Sequence, residues 1–460
     1  MELALQLIVL LAAIAIGARA GGVGMGLWGG VGLAILVFGF GAAPGSIPGE
    51  VLLIILTVIM AASAMVAAGG IDYLVRIAAR IIRRHPKQVT IIAPIVSYVF
   101  TFLAGTGHIF YPLLPVIYEV AMKGRVRPER PIAVATIASQ QAITASPVSA
   151  ATAALIAILG AKGIGLIQIL IICVPSTLLG VIVAALIQTR VGVELDQDPE
   201  YRRRVAAGEL KEDKISPDAS LAAPLPARAP LSAWMFLIGV GLVVLCGLFP
   251  AIRTVHVAAA PAIATTAAAT LPATAPITKP LVVSMPMTIA IVMFTVAALM
   301  LLFTKAPPAK IVTTKTAQAG ITAVIGILGL AWLGDTFIDN NQDTIIGALS
   351  RMASAYPALF SVGLFVTSML LYSQAATTQT LMPLGLTLGL PAASLAGMFP
   401  AVNGYFFIPT YGTLIAAVNF DRSGTTRIGK YVLNHSFMLP GIVSSAVAVT
   451  TGLVIAKVFF

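Results

Sequence analysis

Two stretches of the chain carry the residue types from which a polar site inside a membrane is built. Gly105–Pro115 and Ser373–Pro383 each begin with small or hydroxyl-bearing residues and end in Leu-Leu-Pro or Leu-Met-Pro. Further along each half lies a second polar patch beside a proline, at Ser146–Ser149 and at Pro409–Thr413. Paired interruptions of apolar segments in the two halves of a membrane chain indicate a substrate site near the middle of the bilayer.

The chemistry available at these interruptions suits a small anion. Backbone that leaves a helix within a membrane exposes N–H and C=O groups, which are tolerated only beside a polar cavity. Helix N-termini offer N–H donors and a positive dipole end, and hydroxyl groups add neutral donors. We therefore expect a ligand with two similar polar ends, such as a short dicarboxylate. The candidate substrate-binding residues are Thr106, Gly107, His108, Ser146, Ser149, Ser373, Gln374, Thr377, Thr410 and Thr413.

Few titratable or metal-binding residues are predicted at membrane depth. His108 is a candidate proton-coupling group because imidazole titrates near neutral pH, and a neutral histidine bonded to a carbonyl is an equally good interpretation. We expect Glu119 to form an ion pair with the adjacent basic loop and His435 to be structural. No metal or cofactor is expected, and Cys173 and Cys246 lie in apolar segments, where a buried thiol is the ordinary state.

The composition places these patches in an integral membrane protein. Of the 460 residues, 58% are hydrophobic and only 10% are charged, whereas a soluble domain carries about 25% charged residues. Long apolar runs predict helices and not the short alternating strands of a barrel. The net charge of +11 lies mainly in short loops, so it indicates orientation in a bilayer and no nucleic-acid partner.

Loop charges then predict the topology. The basic clusters expected in the cytoplasm are Arg76–Lys87, Lys123–Arg130, Lys305–Lys315 and Arg422–Lys430. The acidic segment Asp335–Asp343 is expected to be an external loop. Segment 89–122 has basic loops at both ends, so it enters the membrane and returns, with its tip at Gly105–His108. Segment 356–390 returns in the same way from outside, and both chain termini are predicted to be periplasmic.

These directions predict two halves of opposite orientation, with the following boundaries. The first repeat is 1–187, with scaffold helices in 1–68 and a hairpin and broken helix in 89–160. A solvated cytoplasmic linker, 188–233, includes the helix-prone stretch Tyr201–Lys214. The second, inverted repeat is 234–460, with an external loop at 251–281, a hairpin at 356–390 and a broken helix at 394–420. Within these units, Val257–Pro280 is expected to be irregular because of its prolines, and Ile71–Arg84 to be an interfacial amphipathic helix.

Short motifs spread over the whole chain add a family resemblance. They are Gly17–Gly22, Ala61–Ala64, Gly69–Asp72, Gly105–His108, Arg127–Pro131, Ala145–Ser149, Ser373–Ala376, Ile408–Tyr411, Phe420–Thr426 and Asn434–Phe437. In combination they resemble the anaerobic C4-dicarboxylate transporters of the DcuA/DcuB type. The resemblance implies exchange of fumarate, malate, aspartate and succinate across a bacterial inner membrane. It also implies a homodimer in which a substrate-carrying unit moves against a scaffold.

The expected fold class is an all-α polytopic membrane protein. It would be an inverted-topology repeat with two re-entrant hairpins and two broken helices, similar to the elevator-type members of the ion-transporter superfamily. The expected function is exchange of C4-dicarboxylates by alternating access. The alternative is a symporter, coupled to H⁺ or Na⁺, for another organic anion or an amino acid. An intramembrane enzyme is disfavoured because HExxH, paired-acid and nucleophile–base motifs are missing at membrane depth.

Overall fold

The fold was obtained as a computed structural model. It describes residues 2–20, 23–45, 47, 49–210, 224–258, 278–355, 358–371, 373–409, 411–429 and 434–460.

The first part of the chain is a series of apolar helices. They are α1 (Glu2–Ala20), α2 (Gly24–Ala34, continued by a π-helical turn at Ile35–Gly39), α3 (Gly49–Ala67), α4 (Gly70–Arg83), α5 (Val89–Ala104), α6 (Leu114–Lys123), α7 (Glu129–Ala145), α8 (Ala150–Leu159) and α9 (Leu166–Gln188). Most of them are strongly apolar, which explains why they form helices suited to a lipid environment, in which all backbone groups must be paired.

The second part begins with a short polar helix and then repeats the apolar pattern. Its elements are α10 (Pro199–Ala206), α11 (Ala229–Leu248), β1 (Thr254–Ala258), β2 (Thr278–Val282), α12 (Met285–Thr304), α13 (Pro308–Val312), α14 (Lys315–Ala355), α15 (Ala358–Leu371), α16 (Gln374–Thr387), α17 (Ala392–Met398), a 3₁₀ helix at Phe399–Phe406, α18 (Gly412–Phe420) and α19 (Met438–Phe459).

The chain is polytopic. Within the described residues, six helices are long and apolar enough to cross a membrane, or seven if the bent pair α3 and α4 is one span. Inside the bundle α9 packs along α19, α5 along α7, and α12 along α3. Helix α7 contacts α5, α9 and α19, and its residues are almost all buried.

Helix α4 confirms that the segment Ile71–Arg84 forms an amphipathic helix. Its axis departs from that of α3 by 74°. The bend lies at Gly69, which has a left-handed φ of 83° that favours glycine. The apolar side of α4 buries Leu74, Ala78 and Ile82.

The expected acidic loop is helical instead. Asp335–Asp343 lies inside α14, which continues to Ala355. The segment stays helical because its polar side chains have partners on the loop after α2. The Asn340 side chain accepts from the N–H of Ala43 (2.9 Å) and donates to the carbonyl of the same residue (2.8 Å). Trp332 Nε1 donates to the carbonyl of Gly45 (2.9 Å).

The predicted irregular stretch Val257–Pro280 is also corrected at its ends, because β1 and β2 form a two-stranded antiparallel sheet. Thr254 lies opposite Val282 in this pairing, and Ala258 opposite Thr278. Within the described residues, the regular structure is therefore helical apart from this hairpin and an isolated bridge between Ile428 and His435. Residues 259–277 lie outside the described residues.

The described part of the linker packs against the first half of the chain. Arg127 donates to Glu129 from Nε (2.6 Å) and to Asp198 from Nη1 (2.7 Å), and all three side chains are buried. We call these three residues the ionic network. Asp198 also caps α10 by accepting from the N–H groups of Glu200 and Tyr201.

The same linker segment contacts the second half of the chain. Nη1 of Arg204 donates to the carbonyl of Arg422 (2.9 Å), and Leu195 is fully buried. Most of 188–210 is exposed or half-buried, as expected for a solvated connector, but the buried Leu195 and Asp198 fix the segment to the rest of the chain. Residues 211–223 lie outside the described residues, so only the first part of the helix-prone stretch is seen, as α10.

Candidate substrate-binding site

The first predicted hairpin has its tip at Gly105. Helix α5 ends there in a left-handed conformation, with φ 68°, and a 3₁₀ helix at Gly107–Leu113 leads into α6. A Cβ atom on Gly105 would lie 2.9 Å from the backbone oxygen of Val148. Glycine is therefore needed both for the dihedral angle and for close packing against the interruption that follows α7.

The first broken helix is interrupted between α7 and α8, as predicted. Ser146 is extended, with ψ 130°, and its hydroxyl donates to the carbonyl of Phe102 on α5 (2.7 Å). Ser149 caps α8 by accepting from the N–H of Thr152 (3.1 Å). These two hydroxyls thus fix the interruption to the hairpin and to the start of α8.

The second hairpin has a comparable helix start at Ser373. Its hydroxyl accepts from the N–H of Ala376 (3.2 Å) and caps α16. Thr377 is fully buried, and its hydroxyl donates to the carbonyl of Ser373 (2.8 Å). The hydrogen of the Thr377 hydroxyl is thus used within its own helix, which leaves only acceptor capacity for a ligand.

The second broken helix passes from α17 through a 3₁₀ segment to α18. Thr413 lies in the first turn of α18, is buried, and its hydroxyl has no hydrogen-bond partner among the described residues. A Cβ atom on Gly412 would lie 2.9 Å from the hydroxyl of Tyr111 in the first hairpin. The second interruption therefore contacts the first hairpin directly.

A group of neutral amide side chains connects the four interruptions. Gln374 donates from Nε2 to the carbonyl of Gln140 (3.2 Å) and to Oδ1 of Asn403 (2.7 Å). Asn403 in turn donates from Nδ2 to Oε1 of Gln141 (3.1 Å). We call these four residues the central amide cluster. A Cβ atom on Gly107 would lie 2.6 Å from Nε2 of Gln140, so the first hairpin also reaches this cluster.

The two glutamines of α7 were missed from the sequence. Both lie in the part of α7 that follows its charged first turn, before the interruption and not within it. Gln141 also donates from Nε2 to the hydroxyl of Ser445 on α19 (3.1 Å). The available signal was the pair of adjacent amides one turn before the break, since a buried amide needs several partners.

Some polar atoms around the cluster are buried without a partner in the described part of the chain. They are Oε1 of Gln140, the hydroxyl of Tyr405 and the hydroxyl of Thr413. A buried donor or acceptor that lacks a hydrogen-bond partner costs about 1–3 kcal/mol of stability. This pattern is typical of a place where water or a ligand completes the hydrogen bonds.

Gly105, Thr106 and Ser149 line a cavity of about 140 Å³ beside the first interruption. Its other walls come from α3, from the start of α8 and from the start of α14, where Thr316 adds a further hydroxyl group. The lining is mostly apolar. The structure thus brings two predicted site residues, Thr106 and Ser149, to one cavity at the N-terminus of α8.

Two predicted site residues are described incompletely. Thr410 and the side chain of His108 lie outside the described residues. Glu119 is buried and pairs with Arg83 (3.0 Å) and Lys123 (2.6 Å), which confirms the expected ion pair. His435 contacts the carbonyl of Phe407 through Nε2 (3.3 Å) and so joins the second broken helix to the start of α19.

Broken apolar helices that meet at a neutral polar cluster define the class of secondary transporters. The sequence profile of the DcuA/DcuB family, the anaerobic C4-dicarboxylate membrane transporters, matches residues 2–460, and the chain belongs to that family. This is a family of transporters and not of enzymes.

Curated relatives and one solved structure are similar over the whole length. The chain is 40% identical to the C4-dicarboxylate transporter DcuA of Wolinella succinogenes over 456 residues, covering 99% of each chain. It is 41% identical to DcuA of Escherichia coli strain K12, also covering 99% of each. It is 36% identical to the anaerobic C4-dicarboxylate transporter DcuB of Escherichia coli O6:H1, covering 99% of this chain and 98% of the other. In fold it is similar to Neisseria gonorrhoeae MtrF, described with a class of antimetabolite efflux pumps, with a TM-score of 0.51, 14% identity and coverage of 100% and 95%.

Proposed function

We propose that the protein exchanges C4-dicarboxylates across the bacterial inner membrane by alternating access, with fumarate, malate, aspartate and succinate as substrates. Membership of the C4-dicarboxylate transporter family supports the substrate class. The observation that carries the proposal is the central amide cluster, in which side chains from both halves of the chain meet beside all four interruptions.

The substrate is held, in this proposal, by neutral donors and helix N-termini. Ser149 and Ser373 mark the starts of α8 and α16, whose positive dipole ends suit two carboxylates. Thr106, Gly107 and Gln374 line the path between them, with Ser146 and Thr377 fixing the local backbone. Thr413, Thr410 and His108 complete the proposed set, and His108 remains the proposed proton-coupling group. Neutral donors bind an anion reversibly, as a carrier requires.

An inverted-topology repeat is the proposed architecture. The packing of α1 on α2 has a counterpart in α11 on α12, and that of α7 on α9 in α17 on α19. The packing of α12 on α3 has a counterpart in α2 on α14. Such matching helix contacts in the two halves of the chain are expected if one structural unit occurs twice with opposite orientation.

An elevator movement follows from that architecture. The moving unit would contain the hairpins and broken helices, α5 to α9 and α15 to α19, and the scaffold would contain α1 to α3 and α11 to α14. We place the dimer contact on the scaffold by analogy with transporters of this type. Both termini are proposed to face the periplasm, which puts the ionic network on the cytoplasmic side.

A counterflow experiment tests the proposal. Proteoliposomes loaded with succinate should take up labelled fumarate, and uptake should stop when internal succinate is omitted. Gln374→Ala should reduce uptake about tenfold, because one amide then loses two hydrogen bonds at the site. Gln318→Ala, the same change on an exposed side chain of α14, should leave uptake unchanged.

Two results would contradict the proposal. The first is the absence of uptake with every C4-dicarboxylate tested. The second is net uptake that depends on a proton or sodium gradient and needs no internal dicarboxylate, because this result would indicate a symporter.

A further inference from the structure

A second cavity has a lining distinct from the central amide cluster. Its volume is about 490 Å³, and it lies between the end of α8 and the starts of α9 and α12. None of the four cluster residues lines it. Helix α9 has 23 residues, so its two ends are about 34 Å apart at 1.5 Å per residue. The cavity is at the Leu166 end, and the ionic network is near the Gln188 end.

Arg253 gives this cavity an uncompensated positive charge. Its Nη1 donates to the carbonyl of Val283 (2.6 Å), and its Nε is buried without an acceptor among the described residues. Among the residues that the structure describes, no carboxylate forms an ion pair with the Arg253 guanidinium, and no carboxylate lines the cavity. Arg253 as a whole is half-buried, but its buried Nε lacks an acceptor, and a positive charge with no carboxylate beside it favours an anion.

Two long helices begin at the same cavity. Gly165 precedes α9, and its N–H donates to Oε1 of Gln168 (3.1 Å). Ser284 precedes α12, and its hydroxyl accepts from the N–H of Met287 (3.4 Å). Gln168 and Ser284 also line the cavity. The amide hydrogens of Gln168 and the hydroxyl hydrogen of Ser284 thus remain as donors, next to the positive ends of two helix dipoles.

We propose that this cavity is a second anion site, which binds a carboxylate group of a dicarboxylate outside the central site. The choice of a carboxylate rests on the proposed function, whereas the site itself rests on Arg253 and the donors around it. The phosphate of a lipid headgroup has the same recognition chemistry, and the experiment separates the two sources. The cavity lies where α8 and α9 meet α11 and α12, the contact between the proposed moving unit and scaffold.

Protection of an introduced thiol measures binding at this site directly. Ala161 is exposed and lines the cavity, while both native cysteines are buried. Ala161→Cys in nanodiscs of zwitterionic lipid should react with an impermeant maleimide, and the unsubstituted parent should not. Succinate should slow this reaction with a saturable dependence, and the uncharged analogue succinamide should not slow it.

Added changes in the Ala161→Cys chain assign the protection to Arg253. Arg253→Gln should raise the succinate concentration for half protection about tenfold, the equivalent of one charge-assisted hydrogen bond. Arg253→Lys, which keeps the charge, should have a smaller effect and shows whether a loss with glutamine comes from misfolding. Arg190→Gln, the same change on an exposed arginine at the other end of α9, should leave protection unchanged.

The outcome can be separated from that of the proposed function. Gln374→Ala should reduce counterflow about tenfold and leave succinate protection of the Ala161→Cys chain unchanged. Loss of protection in this variant would show that the thiol reports binding at the central site, and the second site would be rejected. Equal protection with and without Arg253, or no protection by succinate, would also overturn the proposal. The proposal would also be overturned if anionic lipid in the nanodiscs slowed the maleimide reaction and succinate did not, because the cavity would then bind a lipid headgroup.

Discussion

The central amide cluster and the ionic network are both buried and polar, yet they differ in how fully their groups are paired. In the ionic network, Arg127 contacts two carboxylates, and Glu129 also accepts from the hydroxyl of Ser436 (2.6 Å). In the central amide cluster, Oε1 of Gln140 has no partner among the described residues, and the same holds for the hydroxyls of Tyr405 and Thr413 in the second broken helix.

The difference separates a structural role from a binding role. Full pairing of buried charges holds parts of the chain together, because removing one partner leaves the other uncompensated. Incomplete pairing of neutral amides leaves hydrogen-bonding capacity for a ligand that comes and goes. We therefore expect changes in the ionic network to reduce stability, and changes in the central amide cluster to reduce substrate affinity.

The largest expected effect is the loss of stability from Arg127→Met. The change leaves Glu129 and Asp198 buried without their shared cation, which costs about 3–5 kcal/mol. Thermal unfolding in detergent should show a marked fall in melting temperature or loss of folded protein. Arg125→Met removes an ion pair with Asp196 in which both side chains are more than half exposed, so its cost should be below about 1 kcal/mol. Equal effects of the two changes would contradict the structural role of the network.

Gly105→Ala should have the next largest effect, again on stability. An L side chain in the left-handed region costs about 1–2 kcal/mol, and here the new Cβ also approaches the backbone of Val148 at 2.9 Å. Gly163→Ala is the matched control, because Gly163 has φ 84° and open space around the position of a Cβ. The melting temperature should fall further for Gly105→Ala, and identical shifts would show that the contact with Val148 is unimportant.

Gly107→Ala should act mainly on binding. The new Cβ would displace the flexible amide end of Gln140 and not a backbone atom. Succinate affinity, measured by calorimetry, should fall about tenfold with little change in melting temperature. If Gly107→Ala lowered the melting temperature as much as Gly105→Ala, the proposed difference between the hairpin tip at Gly105 and the binding position at Gly107 would be contradicted.

The smallest expected effect concerns pH. Burial lowers the pKa of His435, and its contact with the carbonyl of Phe407 partly opposes this. The unfolded chain therefore binds this proton more readily than the folded one. The contribution to stability is present above about pH 6.5 and is lost as pH falls through the lower folded pKa. The melting temperature of His435→Gln should therefore depend less on pH below about pH 6.5 than that of the parent chain. An unchanged slope of melting temperature with pH would contradict the role given to His435.

The sequence predicted the interruptions well because glycine, serine and proline mark them locally. Gly105 at the end of α5, Ser149 before α8 and Ser373 before α16 are all at helix boundaries in the structure. The positions of most apolar helices also follow from composition. The amphipathic helix α4 was found because its arginines and apolar residues alternate with helical spacing.

Features that depend on distant contacts were not predictable in the same way. Asp335–Asp343 resembles a loop by charge, but Asn340 is paired with Ala43, nearly three hundred positions earlier in the chain. Segment 188–210 resembles a solvated linker, but Asp198 is paired with Arg127. The roles of Gln140 and Gln141 depend on Asn403 and Gln374, which no local pattern connects to α7.

A double-mutant cycle between Gln141 and Asn403 tests the central claim most directly, namely that both halves of the chain form one site. The two side chains are joined by a hydrogen bond of 3.1 Å between halves. Succinate affinity should be measured for Gln141→Ala, Asn403→Ala and the double variant. We predict a coupling energy of about 1 kcal/mol, as for contacting residues in one network. Additivity of the two changes within about 0.4 kcal/mol would contradict the account.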